Sequence, residues 1–349
     1  MKDIKTVERA VLKVYTKVNP SKIPIEEEAV YEKWRVGRKI LLGEKLKMLP
    51  DLFRHARLLE VGGGTGENTV LYSQWGADVT LVDNNPIALE RARALWKRFG
   101  CSATRTVESS LFDLEKKDLP VCSFDFVFCE GVIVHTADPV AALTILVRYV
   151  KPGGLLMIAF AEAFGFHARS LQRALIYALA GSEENKIVAT AKQYFQEHLQ
   201  RCVYYGGRTE HSVIYDTYVN PQIEAVNLTE FLDVLHVNKF RYYSGTPELS
   251  FPYATEPWNQ PGIDYYDPTL NRKWIAHLQR NWLVCGREND NRKFAEARPD
   301  GHQDYDRFMR LEQQIRKADF NFCEDDLAVI QKGYLGIGLH YLVSLKVDQ

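Results

Sequence analysis

Short apolar runs recur through the first half of the chain, at Leu58-Leu59-Glu60-Val61, Val79-Thr80-Leu81-Val82, Phe124-Asp125-Phe126-Val127-Phe128 and Leu155-Leu156-Met157-Ile158-Ala159-Phe160. Runs of this length with little alternation read as strands buried on both faces, as in a parallel sheet covered by helices. Stretches of helical period separate them, Ile87 to Arg93 after Pro86 and Pro139 to Tyr149. Proline suits the first turn of a helix, where its missing N–H would be unpaired anyway. Residues 104 to 113 read as a further strand and its loop, so five strands alternate with helices. This order predicts an α/β fold, a doubly wound Rossmann-like sheet with ligands at the carboxyl ends of its strands. Phe240-Arg241-Tyr242-Tyr243-Ser244 predicts a sixth strand and Trp282-Leu283-Val284-Cys285-Gly286 a seventh.

The first strand runs into Gly62-Gly63-Gly64-Thr65-Gly66, and the second ends in Asp83. Glycines at such a bend let the backbone turn sharply and let a ligand lie on bare amides, and a carboxylate closing the next strand can grip ribose hydroxyls. A nucleotide-type cofactor follows. A dinucleotide fingerprint requires G-x-G-x-x-G, whereas the spacing here is G-x-G-x-G, with Glu67 where the last glycine belongs. A carboxylate there repels a diphosphate but need not trouble a cationic sulfonium.

These residues resemble the first motif of the class I S-adenosylmethionine-dependent methyltransferases, an acid followed by G-x-G-x-G, and the resemblance extends from about Leu58 to Phe160. It takes in the Ser123-Phe124-Asp125-Phe126-Val127 strand and the Lys151-Pro152-Gly153-Gly154 turn, and points to the small-molecule type typified by methyltransferase domain 11. It implies S-adenosyl-L-methionine as cofactor, held by Glu60, Gly62, Gly64 and Gly66. Asp83 would bind the ribose hydroxyls, Asn84 flank the adenine, Ser110, Leu111 and Phe112 form the adenine edge, and Glu130 end the fourth strand beside the methyl group. Relatives usually carry an acid where this chain has Ser110, which leaves the backbone of Leu111 and Phe112 to meet the base.

Relatives acting on small molecules also carry a histidine where this chain has His135. A methyl donor is already activated, so the protein mainly aligns and dehydrates the reactants, and a base is required only where the nucleophile must lose a proton. His135 is the first candidate for that base and His167 the second, since both follow strand ends on the cofactor side and a neutral imidazole titrates near working pH. By the same resemblance Tyr215, Asp216 and Asn220 belong to the acceptor pocket. The amine-methylating N-P-P-Y sequence, the proline-cysteine pair of cytosine enzymes and the double glutamate of arginine methyltransferases are absent. A small-molecule acceptor remains, with a hydroxyl oxygen first and nitrogen or carbon open.

The flanks divide into an N-terminal helical segment (1–50), the Rossmann-like core (51–163), a helical cap (164–226), the end of the sheet (227–290) and a C-terminal extension (291–349). Within the cap, helices are expected from Ala168 to Leu179 and from Glu183 to Leu199, Gly181 stopping the first and Ser182 capping the second. Asn227 should cap a helix returning to the sheet. Further helices are expected at Tyr305 to Ala318 and around Asp325 to Lys332. The N-terminal helix either covers the cofactor mouth, as in relatives, or merely flanks the sheet. The C-terminal extension admits a homodimer contact, a lid or a solvated appendage.

Composition narrows the partners. Lys and Arg number 44 against 45 Asp and Glu in 349 residues, so the chain lacks the basic excess expected of a nucleic-acid binder. No apolar run reaches the ~18 residues of a membrane span, and the charged N-terminus lacks a signal peptide's apolar stretch, which predicts a cytoplasmic chain. The six cysteines form no C-x-x-C pair and read as buried reduced thiols. No histidine-rich cluster suggests a metal. Two alternatives stay open, a catalytically silent protein of the same fold and an NAD-dependent oxidoreductase.

Overall fold

The computed structural model describes residues 3–19, 22–206, 208–251, 259–260, 262–284, 302–317, 319–332 and 339–347. In chain order its main elements are α1 (Ile4–Lys17), α2 (Glu28–Lys39), β1 (Arg57–Val61), α3 (Glu67–Gln74), β2 (Asp78–Asp83), α4 (Pro86–Phe99), β3 (Thr104–Glu108) and β4 (Phe124–Glu130). There follow α5 (Pro139–Leu146), β5 (Val150–Ala161), α6 (His167–Ala180), α7 (Glu184–Tyr194), α8 (Gln196–Gly206), α9 (Glu210–Ile214), α10 (Leu228–Val237) and β6 (Phe240–Thr246). The chain closes with α11 (Pro268–Val284), α12 (His302–Arg316), α13 (Glu324–Lys332) and β7 (Leu339–Lys346).

The seven strands form one sheet in the order β3-β2-β1-β4-β5-β7-β6. Strands β1 to β5 pair in parallel, and β7 lies antiparallel between β5 and β6. Leu58, Val79, Phe126 and Met157 point into one apolar layer, while Leu59, Val82, Val127 and Ile158 point into the other. That is the pleat of strands covered on both faces, and it explains why their sequences are mainly apolar with little alternation. The order reverses at β1, where β2 lies on one side and β4 on the other, so the loops after β1 and β4 diverge and leave a crevice.

Local sequence sets the helix ends around that crevice. The Asn85 side chain accepts from the backbone N–H of Ile87 and Ala88 at 3.1 and 3.3 Å, with Pro86 in the first turn of α4. Asp138 caps α5 by accepting from Ala141 at 2.8 Å, and Asn227 caps α10 by accepting from Thr229 at 3.1 Å. Such caps satisfy N–H groups that have no partner within the helix. A second, smaller core joins α6, α7 and the start of α8 to α12 and α13, with Leu171, Leu175 and Ile176 packed among Phe308, Leu311, Ile315 and Ile330.

Several expectations need correction. Trp282 to Val284 end helix α11 rather than forming a strand, while Cys285 and Gly286 lie outside the described residues. The strand between β5 and β6 is instead β7, drawn from the C-terminal segment, so that segment is part of the sheet rather than an appendage to it. The helix expected from Glu183 to Leu199 breaks at Phe195 into α7 and α8, and Ser182 makes no cap, since Glu183 holds the cap position of α7 without a side-chain bond. The Lys151–Gly154 turn is a bulge inside β5, where Val150 pairs with Phe124 and Leu155 with Phe126. Cys129 is buried, whereas Cys101 and Cys202 are half-buried and Cys122 and Cys323 exposed. None of the described helices is long and apolar enough to cross a membrane.

Candidate active site

The chain bends after β1 as its glycines require. Gly62 has φ +72° and Gly66 has φ +77°, a region that favours glycine. Space is as restrictive as conformation: a Cβ on Gly62 would lie 2.0 Å from Val132 Cγ2, and one on Gly66 would lie 2.6 Å from Trp96 Nε1. Gly66 then caps α3. Asp83 holds the bend from the next strand, its carboxylate accepting from the Gly64 N–H at 2.9 Å and the Asn85 N–H at 2.8 Å. Burial raises the Asp83 pKa, and these backbone donors oppose the rise.

Two acids brace the floor beneath this loop. Glu60 is 4% exposed and accepts from the Thr69 hydroxyl. Burial raises its pKa to about 8. Glu130, at the end of β4, receives both ends of the Arg38 guanidinium at 2.8 Å and the Tyr72 hydroxyl at 2.9 Å. Burial works against ionisation there, but Arg38 outweighs it and holds the carboxyl below its ordinary range. Glu67, which the sequence sets against a diphosphate, is buried and accepts from the Thr65 hydroxyl at 2.7 Å and the Ile23 N–H at 3.2 Å.

A second polar group stands across the crevice. His135 Nδ1 is 2.8 Å from the Gln222 carbonyl oxygen and 3.0 Å from Asn220 Nδ2. A carbonyl only accepts, and it is the nearer partner, so the neutral ring carries its proton on Nδ1 and presents a lone pair at Nε2. Burial lowers the His135 pKa, against the pull of Asp216. Nε2 lies 3.8 Å from Asp216 Oδ1. The same Oδ1 accepts from the Tyr15 hydroxyl at 2.7 Å, and Oδ2 meets Arg208 at 3.0 Å. Asp216 is thereby held below its ordinary range, burial notwithstanding, chiefly by Arg208. It sits on the π-helical turn Tyr215–Val219 that continues α9, a local widening found often at functional sites.

One cavity of about 530 Å³ joins the two groups. Glu60, Gly62, Gly64, Asp83, Asn84, Leu111, Phe112 and Glu130 line it, as do His135 and Asp216. Ser110 sits just behind, accepting from the Phe112 N–H at 3.0 Å. His167 does not line the cavity; its ring lies edge-on to Phe308 and 4.0 Å from Glu312 of α12, so the second candidate base is turned away from the reacting space. Tyr215 is also outside, its hydroxyl on Glu184, and Asn220 is fully buried behind His135. Sequence reasoning missed Arg38, Tyr15 and Arg208. Of these only Tyr15 carried a signal, as part of the apolar stripe of α1.

The donor set suits an adenosyl ligand. Each Asp83 oxygen holds one backbone amide and keeps lone pairs for ribose hydroxyls, and the wall at Gly62 leaves no room for a side chain. A sheet ordered 3-2-1-4-5-7-6 with a glycine bend after β1 and an acid closing β2 defines a Rossmann-like methyltransferase fold. Residues 33–205 match the family model of a methyltransferase domain, and this part of the chain is a class I S-adenosylmethionine-dependent methyltransferase domain. Over 104 residues it is 33% identical to the ubiquinone biosynthesis O-methyltransferase of Xanthomonas oryzae, a match covering 30% of this chain and 42% of that protein, so the chain spans under half the length of this relative. Among solved structures it is similar to the YcgJ protein of Bacillus subtilis (15% identity, TM-score 0.43, 91% of this chain and all of that one). It is also similar to an arsenic(III) S-adenosylmethionine methyltransferase of Chlamydomonas reinhardtii (25% identity, TM-score 0.30, 33% of this chain and 41% of that one).

Proposed function

We propose that the protein transfers a methyl group to a hydroxyl oxygen of a small-molecule acceptor. The observation that carries this reading is the single cavity running from the glycine bend and Asp83 to His135 and Asp216. Its size is that of a small-molecule site, for which ~300–1,000 Å³ is usual. The relative from Xanthomonas oryzae, named as an O-methyltransferase, supports oxygen as the target.

When bound, S-adenosylmethionine supplies a methyl group already activated on a sulfonium. The glycine bend and Asp83 would hold its adenosyl part, with Glu130 and the floor acids nearby. His135 lines the cavity, burial favours its neutral form, and its Nε2 lies 3.8 Å from Asp216 Oδ1. It can take the acceptor's hydroxyl proton at Nε2, and Asp216 at 3.8 Å then steadies the imidazolium. Gln222 keeps the ring oriented through Nδ1. Methyl-labelled S-adenosylmethionine incubated with a panel of phenols, catechols and sugars tests the reading. Label on an acceptor oxygen is the expected result; label confined to nitrogen or carbon, or turnover of NAD in its place, contradicts it.

A further inference from the structure

Helix α1 lies along the cavity and presents one face to it. Glu8, Val11, Leu12 and Tyr15 all line the space, and their spacing of i, i+3, i+4 and i+7 places them on one side of the helix. The helical rise separates Glu8 from Tyr15 by about 10 Å along the axis. Tyr15 reaches the His135 end, where its hydroxyl donates to Asp216 and its ring centroid is 5.8 Å from that of His135. Glu8 reaches the opposite end, where it accepts from the Ser110 hydroxyl. Lys5, one turn earlier, ties the same spot together, bonding Glu8 at 3.0 Å and Asp113 at 2.5 Å. No residue of α1 is fully buried although the helix is amphipathic, because its apolar stripe faces the cavity rather than packed side chains.

Resting on the cofactor reading above, the structure assigns Glu8 as the acceptor for the exocyclic amine of an adenine seated beside Ser109–Phe112. That amine is a donor and requires an acceptor. Along the loop itself the Ser109 hydroxyl donates to the Ser110 carbonyl and the Phe112 N–H is taken by Ser110 Oγ. Leu111 and Phe112 present apolar side chains. The carboxyl of Asp113 is held by Lys5 and Lys116 and does not line the cavity. Glu8 does line it, with Oε1 on Ser110 and Oε2 on Lys5, and a carboxylate has about four acceptor sites, so both oxygens retain capacity. The acid that the sheet loop lacks at Ser110 is thus delivered from a helix about a hundred residues earlier. Base recognition and the docking of α1 become one event.

The test is calorimetry on the full chain with S-adenosylhomocysteine and S-inosylhomocysteine, which differ at the amine: adenine offers a donor, hypoxanthine a carbonyl. The parent should prefer the adenosyl compound. Glu8→Ala should weaken S-adenosylhomocysteine by about 10- to 100-fold, the scale of a hydrogen bond to a charged group, while leaving the inosyl compound unchanged or slightly tighter. Glu8→Gln, which keeps a carbonyl acceptor, should retain most of the preference. Equal weakening of both ligands in Glu8→Ala would mark a purely structural helix contact and overturn the assignment, as would an unchanged preference. If the parent binds neither compound, the cofactor reading itself fails; if it binds S-adenosylhomocysteine and Glu8→Ala leaves the preference intact, only the role of Glu8 does.

Discussion

Arg38 and Glu130 meet in a two-pronged ion pair, both guanidinium nitrogens 2.8 Å from the two carboxylate oxygens, with side chains only 10% and 14% exposed. The pair joins α2, outside the sheet, to the end of β4 beneath the glycine bend. Removing one partner of a buried pair leaves the other charge desolvated and alone, which costs about 3–5 kcal/mol. Arg38→Ala is therefore expected to lower the unfolding free energy obtained from urea titration by about 3–5 kcal/mol. A change below about 1 kcal/mol would show that water reaches Glu130 freely.

Asp83→Ala removes an acceptor that pins the glycine bend as well as the proposed ribose contact. Two bonds to a charged group are worth about 3 kcal/mol or more together, so affinity for S-adenosylhomocysteine should fall by at least about 100-fold while the circular dichroism stays that of the parent. Unchanged affinity in calorimetry would place the ribose elsewhere.

His135→Ala should lower kcat by about 10²- to 10⁴-fold and change cofactor affinity little. Because burial lowers the His135 pKa, the ring is already neutral at and above its ordinary range. The kcat of the parent should be flat there and fall only as pH drops through the lowered value. A limb centred above the ordinary histidine range, or parent-like turnover in the variant, would remove His135 from the proton path.

Glu60 gives a stability signature of its own. Its folded pKa is about 8 against an ordinary 4.5, so the folded state prefers the protonated carboxyl. Its contribution is fully present below the unfolded pKa and is lost as pH rises through the folded one. Glu60→Gln should flatten the fall in urea midpoint between about pH 5 and pH 9. An identical slope in parent and variant would mean that Glu60 is ionised throughout.

The half of the candidate site built on the bend after β1 was legible in its geometry because its constraints are local. A strand buried on both faces must be mostly apolar, as Leu58, Leu59 and Val61 of β1 are, and a bend with Val132 against Gly62 admits no side chain. The remainder depends on long-range packing. Trp282-Leu283-Val284 is an apolar run too short to tell helix from strand, and it ends a helix that sends Gln279 to Glu162 and Asn227 at 2.9 and 2.8 Å. The true β7 carries His340 and Ser344, polar residues that are 3% and 0% exposed, and Ser344 is accommodated only because Tyr266 meets its hydroxyl at 2.7 Å. Nothing local announces that pairing. The His135 and Asp216 end of the cavity likewise joins residues from α1, the loop after β4 and the turn after α9, so no single stretch contains it.

Competition calorimetry on the parent protein, S-adenosylhomocysteine against NAD, bears most directly on what the bend after β1 accepts. Stoichiometric binding of S-adenosylhomocysteine, with no heat from NAD and no displacement by it, is the predicted result. Binding of NAD with no detectable affinity for S-adenosylhomocysteine would contradict it.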